Sequence, residues 1–256
     1  MTHESKSSRP CIVVSQPMYF PWVGMLQQIR LCDAFVYYDD VQFSRGGFFN
    51  RVQIKTRQGI RWLTVPLLDF RLGQLINEVR IDNTKDWKRI HRDQLQQAYA
   101  AAPFREDMFD VVDQVFSRDY EVIGELASAS TDALVRYFSA IGAGKPFLVS
   151  SSMGVPGSSS QRVIDICVAL NAKMYLTGHG ARNYLDHEAF EDEGIAVAYI
   201  DYELDEYPQL HGDFTSYVSA LDLIANCGRE GVKHIRGKPE NWRSFVAQSQ
   251  QPKSKK

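Results

Sequence analysis

The chain has 256 residues, 44% of them hydrophobic, and its Lys+Arg 29 against Asp+Glu 31 leave a formal net charge of -2. A chain of this length buries roughly 70–75% of its unfolded surface, enough for one substantial core, and near-neutrality excludes the basic footprint of a dedicated DNA or RNA binder. No run approaches the ~20 apolar residues of a membrane span, and residues 1–10 carry no apolar signal core, so the expectation is a cytoplasmic protein without a membrane span or DNA partner.

Residues 1–10 are Ser/Lys-rich and residues 248–256 are basic and poor in apolar side chains, so both read as disordered tails. Cys11-Ile12-Val13-Val14-Ser15 is a short β-branched run and predicts a buried strand. It meets a loop with Pro17 and Pro21, and Pro21 suits a first helical turn. Trp22, Met25, Leu26 and Ile29 then recur at helical spacing to about Leu31, and residues 34–38 form a second strand that ends in Asp39-Asp40. Two apolar strands joined by a helix favour a parallel pair.

From 41 to 82 the pattern turns to short alternating segments, around Val52–Lys55, Arg61–Pro66 and Glu78–Asp82, with turns at Gly46-Gly47 and Gln58-Gly59. Residues 87–141 are helical in period. Strands follow at 147–149, 174–176 and 195–200, separated by helices around Val163–Leu170 and one that Asp186 caps and Gly194 closes. Val218, Leu221, Ile224 and Ala225 mark a last helix before Gly228. The expected fold is α/β, a three-layer, mainly parallel Rossmann-like sheet with a small β excursion and a helical insertion or lid at about 84–143, all in a single domain over 11–247.

In such sheets ligands bind at the carboxyl ends of the strands, which selects a few loops. The first holds Gln16, Tyr19, Trp22 and Gly24 before a helix start, where free N–H groups favour anions; its alternative is a rigid turn packing aromatics inward. Asp39 and Asp40 can deprotonate an amine, orient a ribose or hold Mg²⁺, or simply cap a strand end. Arg45, Asn50, Arg51 and Lys55 interleave with Phe43, Phe48 and Phe49, and cations beside aromatics suit a phosphate and a planar base. Ser151 and Ser152 begin a Ser/Gly loop that can wrap a phosphate, with Arg162 as counter-charge. Gly178, His179, Asn183 and Tyr184 follow the 174–176 strand, and His179 is the best general acid/base candidate because its free pKa lies near neutrality. His91 and His187 read as surface residues of helices, and His211 as a loop residue. No metal-spaced histidine pair and no Gly-x-Ser-x-Gly occurs. The four cysteines, Cys11, Cys32, Cys167 and Cys227, form no Cys-x-x-Cys and read as buried thiols of a reducing compartment.

Ser15-Gln16-Pro17-Met18-Tyr19-Phe20-Pro21-Trp22-Val23-Gly24 resembles the opening signature of the WbqC-like family. So do Asp39-Asp40-Val41-Gln42-Phe43, Asn50-Arg51, Ile54-Lys55-Thr56, Trp62-Leu63-Thr64-Val65-Pro66, Tyr175-Leu176-Thr177-Gly178 and Asn183-Tyr184-Leu185. Ser15 stands where many relatives carry histidine, so no histidine can act at that place, and Gly46-Gly47 stands where bulkier residues are usual. The resemblance implies a role in surface polysaccharide (lipopolysaccharide O-antigen) and amino-sugar biosynthesis. It implies attachment of an amino acid or small acyl group to the amine of a nucleotide-linked sugar, by an acyl transferase or an ATP-dependent amide ligase with Mg²⁺. Partners would be small molecules, namely the amino sugar or nucleotide-sugar and the acyl donor, with an aminoacyl-tRNA donor left open. Two other readings stand beside it. One is a glycosyltransferase using Asp39-Asp40 and Mg²⁺, although a spaced Asp-x-Asp is absent; the other is a non-catalytic scaffold of a glycan assembly pathway.

Overall fold

The computed structural model describes residues 10–250. The apolar run at the start becomes β1 (Cys11–Ser15), Pro21 leads into α1 (Val23–Leu31), and β2 (Ala34–Tyr37) follows. β1 and β2 pair in parallel, with Val13 beside Phe35 and Val14 beside Val36. β7 (Phe147–Val149) joins the far side of β2, and β8 (Met174–Thr177) joins the near side of β1, both parallel. β9 (Ala196–Glu203) lies parallel to β8. The five expected strands therefore share one sheet, in the order β9-β8-β1-β2-β7. Starting from β1, the chain first builds outward through β2 and β7, then returns to build the other way through β8 and β9. The order reverses between β1 and β8.

β10 (Arg236–Asn241) adds an antiparallel edge next to β9. Arg-Gly-Lys-Pro-Glu-Asn carries no apolar alternation that would mark a strand; backbone pairing builds it, and Pro239 is tolerated because edge strands leave donors unpaired. α8 (Trp242–Gln250) continues into the stretch expected as a tail. At the other end Pro10, also expected in a tail, accepts through its carbonyl from the Lys173 N–H at 2.9 Å. Residues 1–9 and 251–256 of the two expected tails lie outside the described residues.

Successive residues of a strand point to opposite faces, and both faces of this sheet are covered. Val13, Phe35, Leu176 and Ile200 enter one apolar cluster; Ile12, Val36, Tyr175 and Val197 enter another. The first cluster takes Met25, Leu26 and Ile29 from α1. It also takes the apolar faces of α2 (Trp87–Ala98), α3 (Arg105–Phe116), α4 (Ile123–Tyr137) and α7 (Ala220–Cys227). The second cluster takes Val163, Ile164 and Cys167 from α5 (Ser159–Ala169) and Phe190 from α6 (His187–Asp192), with Phe245 of α8 against it. The helices at 87–137 thus share the core of β1 and β2. No helix among the described residues is long and apolar enough to cross a membrane.

The β excursion is a hairpin of β3 (Arg51–Thr56) and β4 (Gly59–Thr64), followed by a two-residue pair, β5 (Leu67–Leu68) with β6 (Arg80–Ile81). Gly59 closes the hairpin at φ +95°, where a side chain would be strained.

His91, expected at the surface, is instead 3% exposed. Its period on α2 places it inward with Trp87 and Leu95, and its polarity is satisfied there. The Tyr19 hydroxyl lies 3.0 Å from Nδ1, and Nε2 lies 3.2 Å from the Thr64 carbonyl. A carbonyl only accepts, so Nε2 carries the proton and the tyrosine donates to Nδ1, a neutral imidazole. Burial, partly offset by the Thr64 hydrogen bond, lowers its pKa to about 4. The folded value lies below the unfolded one, so its contribution is complete above ~6.5 and is lost as pH falls toward the folded value. Denaturant titrations should show the wild type losing roughly 3 kcal/mol more than His91→Gln between pH 7 and pH 4. Parallel pH profiles would contradict this. His187 also differs from a free surface residue: it stacks on Trp242 at 4.5 Å, and its Nε2 lies 2.8 Å from the Tyr199 hydroxyl.

Candidate functional site

A cleft of about 720 Å³ opens at the carboxyl ends of β1 and β8, where the strand order reverses. That volume lies within the range of small-molecule sites. Ser15 at the end of β1 and Gln16 after it, Thr177 at the end of β8 with Gly178 and His179 after it, and Asp201 and Tyr202 of β9 line it. Trp22 at the mouth of α1 and Tyr217 form one aromatic wall with Tyr202; Tyr38 and Tyr184 also line the cleft. The Trp22 ring lies 5.0 Å from Tyr202 and 5.7 Å from Tyr217. Tyr184 and Tyr217 are 56% and 62% exposed, large rings left available to a ligand. Gln28 donates to the Tyr202 hydroxyl at 2.9 Å, and burial pushes that phenol up, so it stays neutral.

Gly24, expected to approach a ligand, acts through Trp22. A Cβ at Gly24 would lie 2.3 Å from the indole, so only glycine lets the ring fold over the helix start. Gly178 plays a matching part, because a Cβ there would meet the Tyr202 hydroxyl at 2.9 Å.

His179 begins a short 3-10 turn (His179–Asn183) directly after β8. Its Nε2 lies 2.8 Å from the Ile200 carbonyl, which fixes the proton on Nε2 and leaves Nδ1 as the basic nitrogen. The ring is held between Tyr202 at 5.0 Å and Phe245 at 4.8 Å. This is the arrangement of an oriented base: one nitrogen anchored to backbone, the ring fixed by packing, the other nitrogen without a hydrogen-bond partner among the described residues.

The other candidates are placed differently. Of Gln16, Asp40, Arg51, Ser151 and His179, expected along one cleft, only Gln16 and His179 line it, together with Trp22, Gly178 and Tyr184. Asp39 and Asp40 form a network behind Tyr38 and Val41. Asp39 accepts from the Ser151 N–H at 3.0 Å and its hydroxyl at 2.8 Å, and the Ser150 hydroxyl lies between the two carboxylates. Asp40 pairs with Arg162, whose side chain is 8% exposed. Burial alone would raise the Asp40 pKa, but the Arg162 and Ser150 contacts outweigh it and hold the carboxyl below its ordinary value. A carboxylate so held is a poor base, and Arg162, also bonded to the Val155 carbonyl at 3.0 Å, is spent as a phosphate counter-charge. Ser152 is exposed at the end of the same turn. Asn183 is exposed beside Tyr184 but does not line the cleft.

The cationic patch disperses. Arg45 lies over Phe70 at 5.2 Å, and Asn50 donates to the Val65 carbonyl at 2.9 Å. Arg51 donates to the Gly46 carbonyl at 2.6 Å with its guanidinium 4.3 Å above Trp62. Lys55 is buried and donates to the Gly212 carbonyl at 2.9 Å and to Gln209 at 3.2 Å, pinning that loop. Tyr19 is fully buried against His91, an interior residue. These cations stand close to Asp40 in sequence, but β3 belongs to a separate hairpin. Gln28, Asp201, Tyr202 and Tyr217 line the cleft without standing among the residues expected there. Tyr202 had a signal, since β9 keeps its alternation past the apolar run that ends at Ile200.

The sequence profile of the WbqC-like protein family matches residues 16–234. The chain is 31% identical over 227 residues to the uncharacterized protein Rv1507c of Mycobacterium tuberculosis, a match that spans 88% of this chain and 97% of that protein. No solved structure matches.

Proposed function

The chain belongs to the WbqC-like protein family, and from that premise we propose that the cleft binds an amino sugar, carried on a nucleotide, and forms an amide on its amine. The reading takes the sheet as a three-layer, Rossmann-like frame with its ligand at the reversal of strand order. It places the protein in surface-polysaccharide biosynthesis, as a cytoplasmic transferase of an amino acid or small acyl group. The observation that carries it is His179, on the cleft, with Nε2 tied to the Ile200 carbonyl and Nδ1 left basic. The amine nitrogen attacks the acyl carbon of an activated donor, an ester or thioester. As the C–N bond forms, the proton on nitrogen passes to Nδ1, and His179 returns it to the leaving oxygen or sulfur. Trp22, Tyr202 and Tyr217 supply rings on which the apolar face of a sugar or a base rests.

A triphosphate with Mg²⁺ fits this cleft poorly. The acid pair expected to hold the metal, Asp39 and Asp40, is engaged with Ser150, Ser151 and Arg162 and does not line the cleft. No step is derived through ATP. The same engagement removes the acid pair on which a glycosyltransferase would rely.

A thermal-stability screen with amino-sugar nucleotides, free amino acids and ATP tests the reading. An amino-sugar nucleotide at 100 times its Kd should add ~2.7 kcal/mol of stability. Stabilisation by ATP alone would contradict the assignment of the cleft.

A further inference from the structure

A second concavity, of about 350 Å³, lies between the β3–β4 hairpin and α2, formed by different residues from the first cleft. Its chemistry is unlike that of the cleft. Arg57 and Arg61 both line it, and among the described residues no aspartate or glutamate does. The hairpin fixes where they stand. The Thr56 hydroxyl donates to the Gly59 carbonyl at 2.7 Å and accepts from the Gln58 N–H at 3.2 Å, locking the turn that carries Arg57. Arg61 pairs in register with Ile54, and Ile54 and Leu63, which share its face, are buried. That face packs toward α2, so Arg61 leaves the strand beside the helix.

Here the helix offers Gln94, Gln97 and Ala98. The acids of α2 and its cap, Asp93 and Asp86, are both paired with Arg89. Arg61 has one hydrogen bond, to the Gln58 side-chain oxygen at 3.0 Å, and Arg57 has no partner among the described residues. Two guanidinium groups therefore share one concavity with neutral amides and no compensating charge.

We propose that this concavity is a binding site for a phosphate monoester of a small molecule. Two planar guanidinium forks offer more N–H donors than one carboxylate can accept, whereas a phosphoryl group presents three terminal oxygens to both. The glutamine amides supply neutral donors and acceptors for the rest of the ligand, and the volume leaves room for a sugar or nucleoside beyond the phosphate. The chain's charge of -2 favours a small phosphorylated ligand over a nucleic-acid backbone, which needs a wider basic track.

Calorimetric titration at fixed ionic strength, with glucose 6-phosphate, inorganic phosphate and glucose as probes, tests this. Glucose 6-phosphate should bind more tightly than inorganic phosphate, and glucose should not bind. Arg57→Gln and Arg61→Gln, both at exposed positions, should each weaken the phosphorylated probe about tenfold, while Trp22→Ala in the first cleft should leave it unchanged. Absence of binding by both phosphate probes, or binding that survives both arginine substitutions, would overturn the proposal. So would a short single-stranded RNA that binds more tightly than glucose 6-phosphate through the same arginines, since it would assign the surface to nucleic acid.

Discussion

His179→Asn should lower turnover by ~10²–10⁴ while leaving the fold and the affinity for the amino-sugar nucleotide in place. Amide formation needs a neutral amine and a group to take its proton, and imidazole is the side chain whose ordinary pKa suits that at neutral pH. The rival groups are committed elsewhere. Asp40 is paired with Arg162, His91 is buried against Tyr19, and His187 lies against Tyr199 and Trp242. His211 has Nε2 2.7 Å from the Ala98 carbonyl and does not line the cleft. Asparagine offers no base, and His179→Gln, whose amide nitrogen reaches the position of Nε2, removes the base while keeping a donor for the Ile200 carbonyl. Steady-state kinetics with a binding titration separate the two effects: kcat should fall and Kd should hold. A variant that turns over like the parent would make His179 a structural contact between β8 and β9.

Arg162→Ala should lower the unfolding free energy by about 3–5 kcal/mol, because it strands the Asp40 carboxylate beside Asp39 with its counter-charge gone. The two side chains are 8% and 17% exposed, far from the screened surface pairs whose loss is hardly measurable. The pair also carries a pH signature. Asp40 has its folded pKa below the unfolded value, so its contribution is present above the unfolded carboxylate pKa and lost as pH falls through the folded one. Arg162→Ala should remove that part of the acid dependence. The double variant Asp40→Asn/Arg162→Met should recover at least half of the lost stability, since the Asp40 charge is then removed together with its partner. Urea titrations decide: a cost below about 1 kcal/mol for Arg162→Ala would return the acid pair to the list of groups available to a ligand.

The sheet was legible because its strands are short apolar runs, Cys11 to Ser15 and Ala34 to Tyr37 among them, and parallel strands are buried on both faces. Their carboxyl ends then pointed to the loops that carry Gln16 and His179. β10 was not legible, because its pairing is made by backbone and its side chains are polar. The acid pair and the cations have partners within the chain that the sequence does not mark, for a related reason. Charge and spacing mark a residue as polar, and only the fold decides whether its partner is a ligand or another part of the chain. Lys55 meets the Gly212 carbonyl 157 residues away, and Arg162 meets Asp40 122 residues away. His91 shares its helical phase with Trp87 and Leu95, and that phase, not its polarity, decides that it is buried.

The central claim is that the aromatic cleft at the β1–β8 reversal, and not the cationic hairpin, receives the substrate. Titration of uridine diphosphate glucosamine against the wild type, Trp22→Ala and Arg51→Ala tests it most directly. Trp22→Ala should weaken binding by ~1.5–3 kcal/mol through loss of a stacking ring, and Arg51→Ala should change it by less than ~0.5 kcal/mol. The opposite ranking, with Arg51 required and Trp22 dispensable, would contradict the account and move the substrate to the hairpin.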